Sequence, residues 1–127
     1  MKNLSKIDEF AVNAFLNTSK KLIHENKKQF IWYRELKING KILTAKQALY
    51  DIGIFHEKEI WNYILELNPT ELIKIEMDRD SHRDYNSEIF VFIKKINSKD
   101  IYIKLTINRK GLLCLSFHES YKGGNYE

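Results

Sequence analysis

The sequence predicts an α+β fold, with N-terminal helices packed on a C-terminal antiparallel β-sheet. Three observations carry this. Apolar residues recur at helical spacing through most of the first half, the pattern switches to strict alternation from Leu72 onward, and the alternating runs are joined by short connections that suit antiparallel pairing.

Each element has its own signal. Ser5 followed by Asp8 resembles a capping box. Ile7, Phe10, Ala11, Ala14, Phe15, Leu22 and Ile23 then predict the apolar face of a helix from about Lys6 to about Asn26. Residues 30–33 (Phe-Ile-Trp-Tyr) are β-prone, and Asn39-Gly40 favours a tight hairpin. Thr44 is placed to cap a short helix over 45–51 that Gly53 ends. His56 begins a further helix that puts Ile60, Ile64 and Leu67 on one side, and Asn68-Pro69 stops it. Residues 72–77 alternate, 78–87 read as a polar loop, and 89–96, apolar on both faces, read as a central strand. Residues 101–107 and 112–118 alternate cleanly, and 120–127, with Gly123-Gly124, read as a frayed tail behind a single domain over 1–119.

Composition narrows the class. A chain of 127 residues suits one domain with one core, and its 7 Tyr, 7 Phe and 2 Trp fill much of it. The lone Cys114 excludes an internal disulfide and a four-cysteine zinc site. The longest purely apolar run, residues 89–93, is too short to span a bilayer, and no signal segment opens the chain. The expectation is a soluble cytoplasmic protein with no membrane partner. The net charge of +4 is unevenly spread: residues 17–48 carry eight bases against two acids, 66–88 seven acids against three bases, and 89–127 seven bases against three acids. That distribution suits a phosphate-bearing partner on one face, although solvated lysine-rich helices look the same.

The last hairpin is expected to gather polar side chains. If its odd-numbered apolar residues share the helix-covered face, paired residue numbers have an even sum. A three-residue loop over 109–111, with Gly111 in the left-handed position, gives a sum of 220. Tyr102 then opposes His118 and Lys104 opposes Ser116, all on an open face that Cys114 shares by parity. The plain alternative is a solvated sheet face.

This stretch carries a resemblance. Phe90-Val91-Phe92-Ile93-Lys94, then Ile101-Tyr102-Ile103-Lys104-Leu105, then Cys114-Leu115-Ser116-Phe117-His118-Glu119 resemble in order and spacing the C-terminal half of the MqsR-type toxins, within the RelE-like group of toxin–antitoxin ribonucleases. Ala48-Leu49-Tyr50-Asp51-Ile52-Gly53-Ile54 and residues 60–67 resemble that family's preceding helices more loosely, so the likeness covers roughly 45–119. It implies a cofactor-free and metal-free endoribonuclease that cuts single-stranded messenger RNA and is neutralised by a cognate antitoxin protein. The family's functional lysine falls on Lys74, its strand tyrosine on Tyr102, and the residue of its last strand on His118, where some members carry lysine. The family's glutamine has no counterpart, because Ile89 and its neighbours occupy that stretch.

The residue types suit the chemistry. RNA supplies its own nucleophile, the 2′-hydroxyl, so the protein needs only proton transfer and charge stabilisation. His118 supplies an imidazole that can serve as acid or base. Lys74, Lys94 and Lys104 stabilise phosphate charge, Ser116 adds a hydroxyl to the RNA-binding set, and Tyr102 orients a proton or stacks on a base. Asp78, Asp80, His82 and Asp84 lack a closed metal-ligand spacing, and a Cys114–His118 nucleophile pair lacks an orienting third group. A second reading is a non-catalytic inhibitor or RNA- or protein-binding module of a mobile element on the same scaffold, which needs the basic face but not the His118–Tyr102 pairing.

Overall fold

The computed structural model describes residues 5–38, 40–77 and 88–120. The predicted polar loop over 78–87 and the tail over 121–127 lie outside the described residues. Ser120 extends the strand ladder, its N–H donating to the Asp100 carbonyl at 2.8 Å.

Helix α1 (Lys6–His24) opens as predicted, with Ser5 Oγ accepting from the Asp8 N–H at 3.0 Å and Asp8 and Glu9 at the positive end of the helix dipole. Its buried stripe differs from the expected one. Val12, Phe15, Leu16, Ser19 and Ile23 face the core, whereas Phe10 is 77% exposed and Ala14 is exposed; the side chain of Ile7 lies outside the described residues. Of the predicted stripe, Phe15 and Ile23 are buried and Ala11 and Leu22 pack partly buried against the core, while Val12, Leu16 and Ser19 take the places expected of Phe10 and Ala14. Phe15 stacks on Phe90 (ring centroids 3.9 Å apart), and the buried Ser19 hydroxyl donates to the Phe15 carbonyl at 2.8 Å.

Four strands follow the predicted meander: β4 (Leu72–Met77), β5 (Glu88–Ile96), β6 (Lys99–Asn108) and β7 (Gly111–Glu119), each antiparallel to the next. An early strand, β1 (Lys28–Phe30), adds to the far edge parallel to β7, giving the order β1-β7-β6-β5-β4. The sheet is therefore mixed rather than wholly antiparallel. Strands β2 (Glu35–Ile38) and β3 (Lys41–Thr44) form a separate hairpin, with Gly40 at φ +78°; Asn39 lies outside the described residues. Thr44 and Gln47 cap α2 (Ala45–Asp51) reciprocally, and α3 (Glu57–Leu65) leads into a 3-10 turn, Pro69–Glu71.

The hairpin between β6 and β7 corrects the predicted register. Its loop is two residues, Arg109 and Lys110, so Asn108 pairs with Gly111 and Leu105 with Cys114, an odd sum. An irregularity opposite Lys104–Leu105 leaves Leu115 as an extra residue, and beyond it Lys104 pairs with Ser116 and Tyr102 with His118. This β-bulge reverses the parity of β7. Leu112, Cys114 and Phe117 join the helix-side core, while Leu113 and Leu115 join a second cluster with Ile31, Ile89, Val91 and Tyr102 on the opposite face. Cys114 thus lies on the helix side, away from His118, contrary to the parity argument.

Side chains from the β5–β6 turn secure α2. Asn97 and Ser98 both have positive φ, as a type I′ turn requires. Asn97 Nδ2 donates to the Ile52 carbonyl and Lys99 Nζ to the Asp51 carbonyl, both at 3.0 Å, satisfying carbonyls that the helix end leaves open. At the start of α3, Glu59 accepts the N–H groups of Phe55 and His56, each at 2.9 Å.

Two outcomes follow. A Cβ on Gly111 (φ +137°) meets the Lys27 carbonyl oxygen at 2.2 Å, where that carbonyl accepts the Leu112 N–H; Gly40 has open space around it. Gly111→Ala is expected to cost more than about 2 kcal/mol, and Gly40→Ala about 1 kcal/mol, in urea unfolding; equal losses would contradict the close approach of β1. The backbone donors Phe55 and His56 hold the Glu59 carboxyl below its usual range. A depressed folded-state pKa stabilises the protein above the unfolded carboxylate pKa, and that gain fades as pH falls through the folded value. The stability gap between the wild type and Glu59→Gln should therefore be largest near pH 7 and shrink toward pH 3; a gap independent of pH would reject this role.

Candidate functional site

The residues singled out in the sequence fall into one group and one outlier. Row by row across the sheet, Lys74 pairs with Val91, Val91 with Lys104, and Lys104 with Ser116; in the adjoining row Ile93 pairs with Tyr102 and Tyr102 with His118. Lys74, Tyr102, Lys104, Ser116 and His118 therefore share the face opposite the helices. Lys94 does not join them. It pairs with Ile101 of the helix-side core, and its ammonium lies 3.4 Å from both the Glu71 carboxylate and the Glu66 carbonyl.

The predicted open face is closed. Tyr102 and His118 are each 3% exposed, Ser116 5% and Lys104 6%. The expectation of a solvated sheet face took wetness from polarity alone. Here the same face also carries Ile31, Ile89, Val91, Leu113 and Leu115, so its polar groups lie within an apolar surround. The Tyr102 and His118 rings stack with centroids 5.3 Å apart at 23°, and His118 Nδ1 lies 2.9 Å from the Glu119 carbonyl oxygen, a contact that suits an Nδ1–H donor and leaves Nε2 as the other functional nitrogen.

Glu76 organises the lysines. Its Oε1 lies 3.6 Å from Lys104 Nζ and its Oε2 lies 3.2 Å from Lys74 Nζ. One carboxylate thus bridges a buried cation and a half-exposed one, and a buried ammonium is tolerable only when paired in this way. Sequence reasoning had the signal for Glu76, since it sits two residues from Lys74 in β4 and so shares its face, but read only the cation.

Arg34 was also missed. A small pocket of about 20 Å³ is lined by Arg34, Ser116 and His118 together with Ile31, Ala48 and Leu115. It exists because β1 inserts beside β7 and carries residues 31–34 over the end of that strand. No local pattern marks the pairing of a three-residue strand with a parallel partner 84 residues further on. Chemically, the group offers an imidazole beside a phenol, a hydroxyl, a guanidinium and two lysines tied to one carboxylate.

Among the described residues, no three or more His, Cys, Asp or Glu side chains are grouped to hold a metal ion. The Asp78, Asp80, His82 and Asp84 stretch lies outside the described residues. No described helix is long and apolar enough to cross a membrane. No protein-family model matches the chain, and no curated protein matches it.

Proposed function

We propose that this protein is a cytoplasmic toxin-type endoribonuclease that cuts single-stranded messenger RNA without a metal and is neutralised by a protein antitoxin. The observation that carries the reading is the Tyr102–His118 pair: two rings on opposed strand positions, stacked 5.3 Å apart, with Lys104 and Ser116 in the next row and Lys74 beyond. The MqsR-type resemblance supports it independently, because the family's functional positions fall on residues that share this face. The antitoxin rests on that resemblance alone.

The chemistry is transesterification. The RNA 2′-oxygen attacks the adjacent phosphorus, the bond from phosphorus to the 5′-oxygen breaks, and a 2′,3′-cyclic phosphate and a free 5′-hydroxyl result. His118 takes the 2′-hydroxyl proton or delivers one to the leaving oxygen. Lys74, Lys104 and Arg34 stabilise the charge that grows on the phosphorane oxygens, with Lys74 and Lys104 exchanging Glu76 for phosphate. Tyr102 holds the imidazole by stacking, and its hydroxyl is a second proton carrier.

The burial of Tyr102 and His118 favours a second reading, a module that binds RNA or protein without cutting. Incubation of a defined single-stranded RNA with the protein in EDTA separates the two. On the first reading the wild type cleaves, His118→Ala loses roughly a hundredfold to ten-thousandfold, Lys74→Ala loses less, and the exposed His24→Ala is unchanged. Circular dichroism establishes that each variant folds. Binding without cleavage by the wild type selects the second reading, and cleavage abolished by EDTA rejects the metal-free scheme.

A further inference from the structure

A larger pocket, about 250 Å³, opens beside the small one. Trp32, Tyr50 and Phe55 wall it, and the buried Leu49 and Ile54 form its apolar floor. The three rings are 45%, 47% and 62% exposed, although burial of large aromatics is favourable. Tyr50 and Phe55 stand 5.3 Å apart at 49°, leaving ring faces unmatched by one another. The volume is below that of a drug-sized site and suits a single planar group.

The charge around it selects the ligand. Lys46 lines the pocket, with its ammonium 5.7 Å from the Tyr50 ring centre. Among the described residues, Lys37, Lys41 and Lys46 make no ion pair, and all three belong to the β2–β3 hairpin and α2. The pocket's own acid, Glu57, already accepts from Trp61 Nε1 at 3.0 Å. The lining itself carries one base, Lys46, against that one engaged acid, and the surplus positive charge comes from Lys37 and Lys41 on the neighbouring hairpin. Rings with an ammonium beside them fit a flat base that carries a phosphate.

Position ties the pocket to the site already described. Helix α2 divides the two: Ala45 and Ala48 line the small pocket with Arg34 and His118, while Lys46, Leu49 and Tyr50 line the large one. Residues 31–34 cross both, Ile31 and Arg34 on one side and Trp32 on the other.

We propose that the Trp32–Tyr50–Phe55 pocket is a nucleobase subsite, in which one unpaired base of an RNA strand stacks on the rings while its phosphate lies on Lys46. The inference rests on the RNA-directed reading above but not on cleavage. The subsite fixes one nucleotide of the strand relative to His118.

The test uses the full chain and a fluorescent 2′-O-methyl oligoribonucleotide, which binds but lacks the attacking hydroxyl, with binding followed by anisotropy. Phe55→Ala and Tyr50→Ala should each weaken binding about tenfold or more, the scale of one lost base stack. Trp32→Ala should do the same, but Trp32 packs edge-on against Phe30 at 4.5 Å, so the more exposed Phe55 gives the decisive variant. Lys46→Ala should lower the slope of log affinity against log salt by about 0.7. An oligonucleotide of the same length with abasic sites should bind wild type and Phe55→Ala alike. Wild-type affinity in both Phe55→Ala and Tyr50→Ala overturns the proposal, as does an equal loss on the abasic strand. So does an acidic, tyrosine-containing peptide that binds more tightly than the oligonucleotide and depends on Phe55, which assigns the pocket to a protein partner. Phe55-dependent binding of the blocked strand, with no cutting of unmodified RNA, sinks the cleavage reading and leaves the subsite standing.

Discussion

The extra residue at Leu115 decides what each face of the sheet is. A two-residue turn at Arg109-Lys110 gives the β6–β7 ladder an odd register, and the bulge converts it to an even one halfway along. Without the bulge, a strand with Leu112 and Cys114 in the helix-side core would also send Ser116 and His118 there, and Phe117 to the other face. With it, the same core takes Leu112, Cys114 and Phe117, and the far face takes Leu113, Leu115, Ser116 and His118. One inserted residue thus lets β7 supply apolar groups to both clusters and still present a hydroxyl and an imidazole opposite Lys104 and Tyr102. Moving the bulge one position later would turn Ser116 into the helix-side core, and one position earlier would take Leu115 from the far cluster, so its position is constrained from both sides.

The polar row is sustained by that apolar surround and by Glu76. Lys104 is almost wholly buried, and an ammonium taken out of water loses far more hydration energy than one surface ion pair returns. The pairing with Glu76 is therefore a condition of the arrangement. Because Glu76 also holds Lys74, one carboxylate ties the two lysines into a single group.

Much of this fold was legible in the sequence because its signals are local. Ser5, Thr44 and Asn68-Pro69 mark helix ends through single hydrogen bonds, and the switch to alternation at Leu72 marks the sheet. The opposition of Tyr102 to His118 was also legible, although its derivation assumed a three-residue loop; the turn is one residue shorter and the bulge restores the sum. What failed depended on distant partners. The parallel pairing of β1 with β7 follows from the close approach of Lys27 to Gly111, which no window of sequence contains. On α1, Phe15 was placed correctly and stacks on Phe90, but the exposure of Phe10 and the burial of Val12 and Leu16 depend on what the rest of the chain packs against the helix. The burial of His118 and Tyr102 was missed because alternation reports two faces but not whether both are covered.

Charge distribution connects the two sites. The acidic stretch over 66–88 supplies Glu71 to Lys94 and Glu76 to Lys74 and Lys104, so on the β4–β5 side of the sheet acids and bases largely cancel. The excess positive charge of the chain is left on the other side, in the basic stretch that forms β1, the β2–β3 hairpin and α2. That is the side where residues 31–34 run past His118 and where three rings stand exposed around an apolar floor. On the proposed reading, an anionic strand steered by the field of the molecule would arrive at the edge where the exposed rings and the imidazole lie on the two sides of one short helix. The proposed strand path would give the uneven charge of the sequence and the uneven exposure of its aromatics a common explanation in that edge.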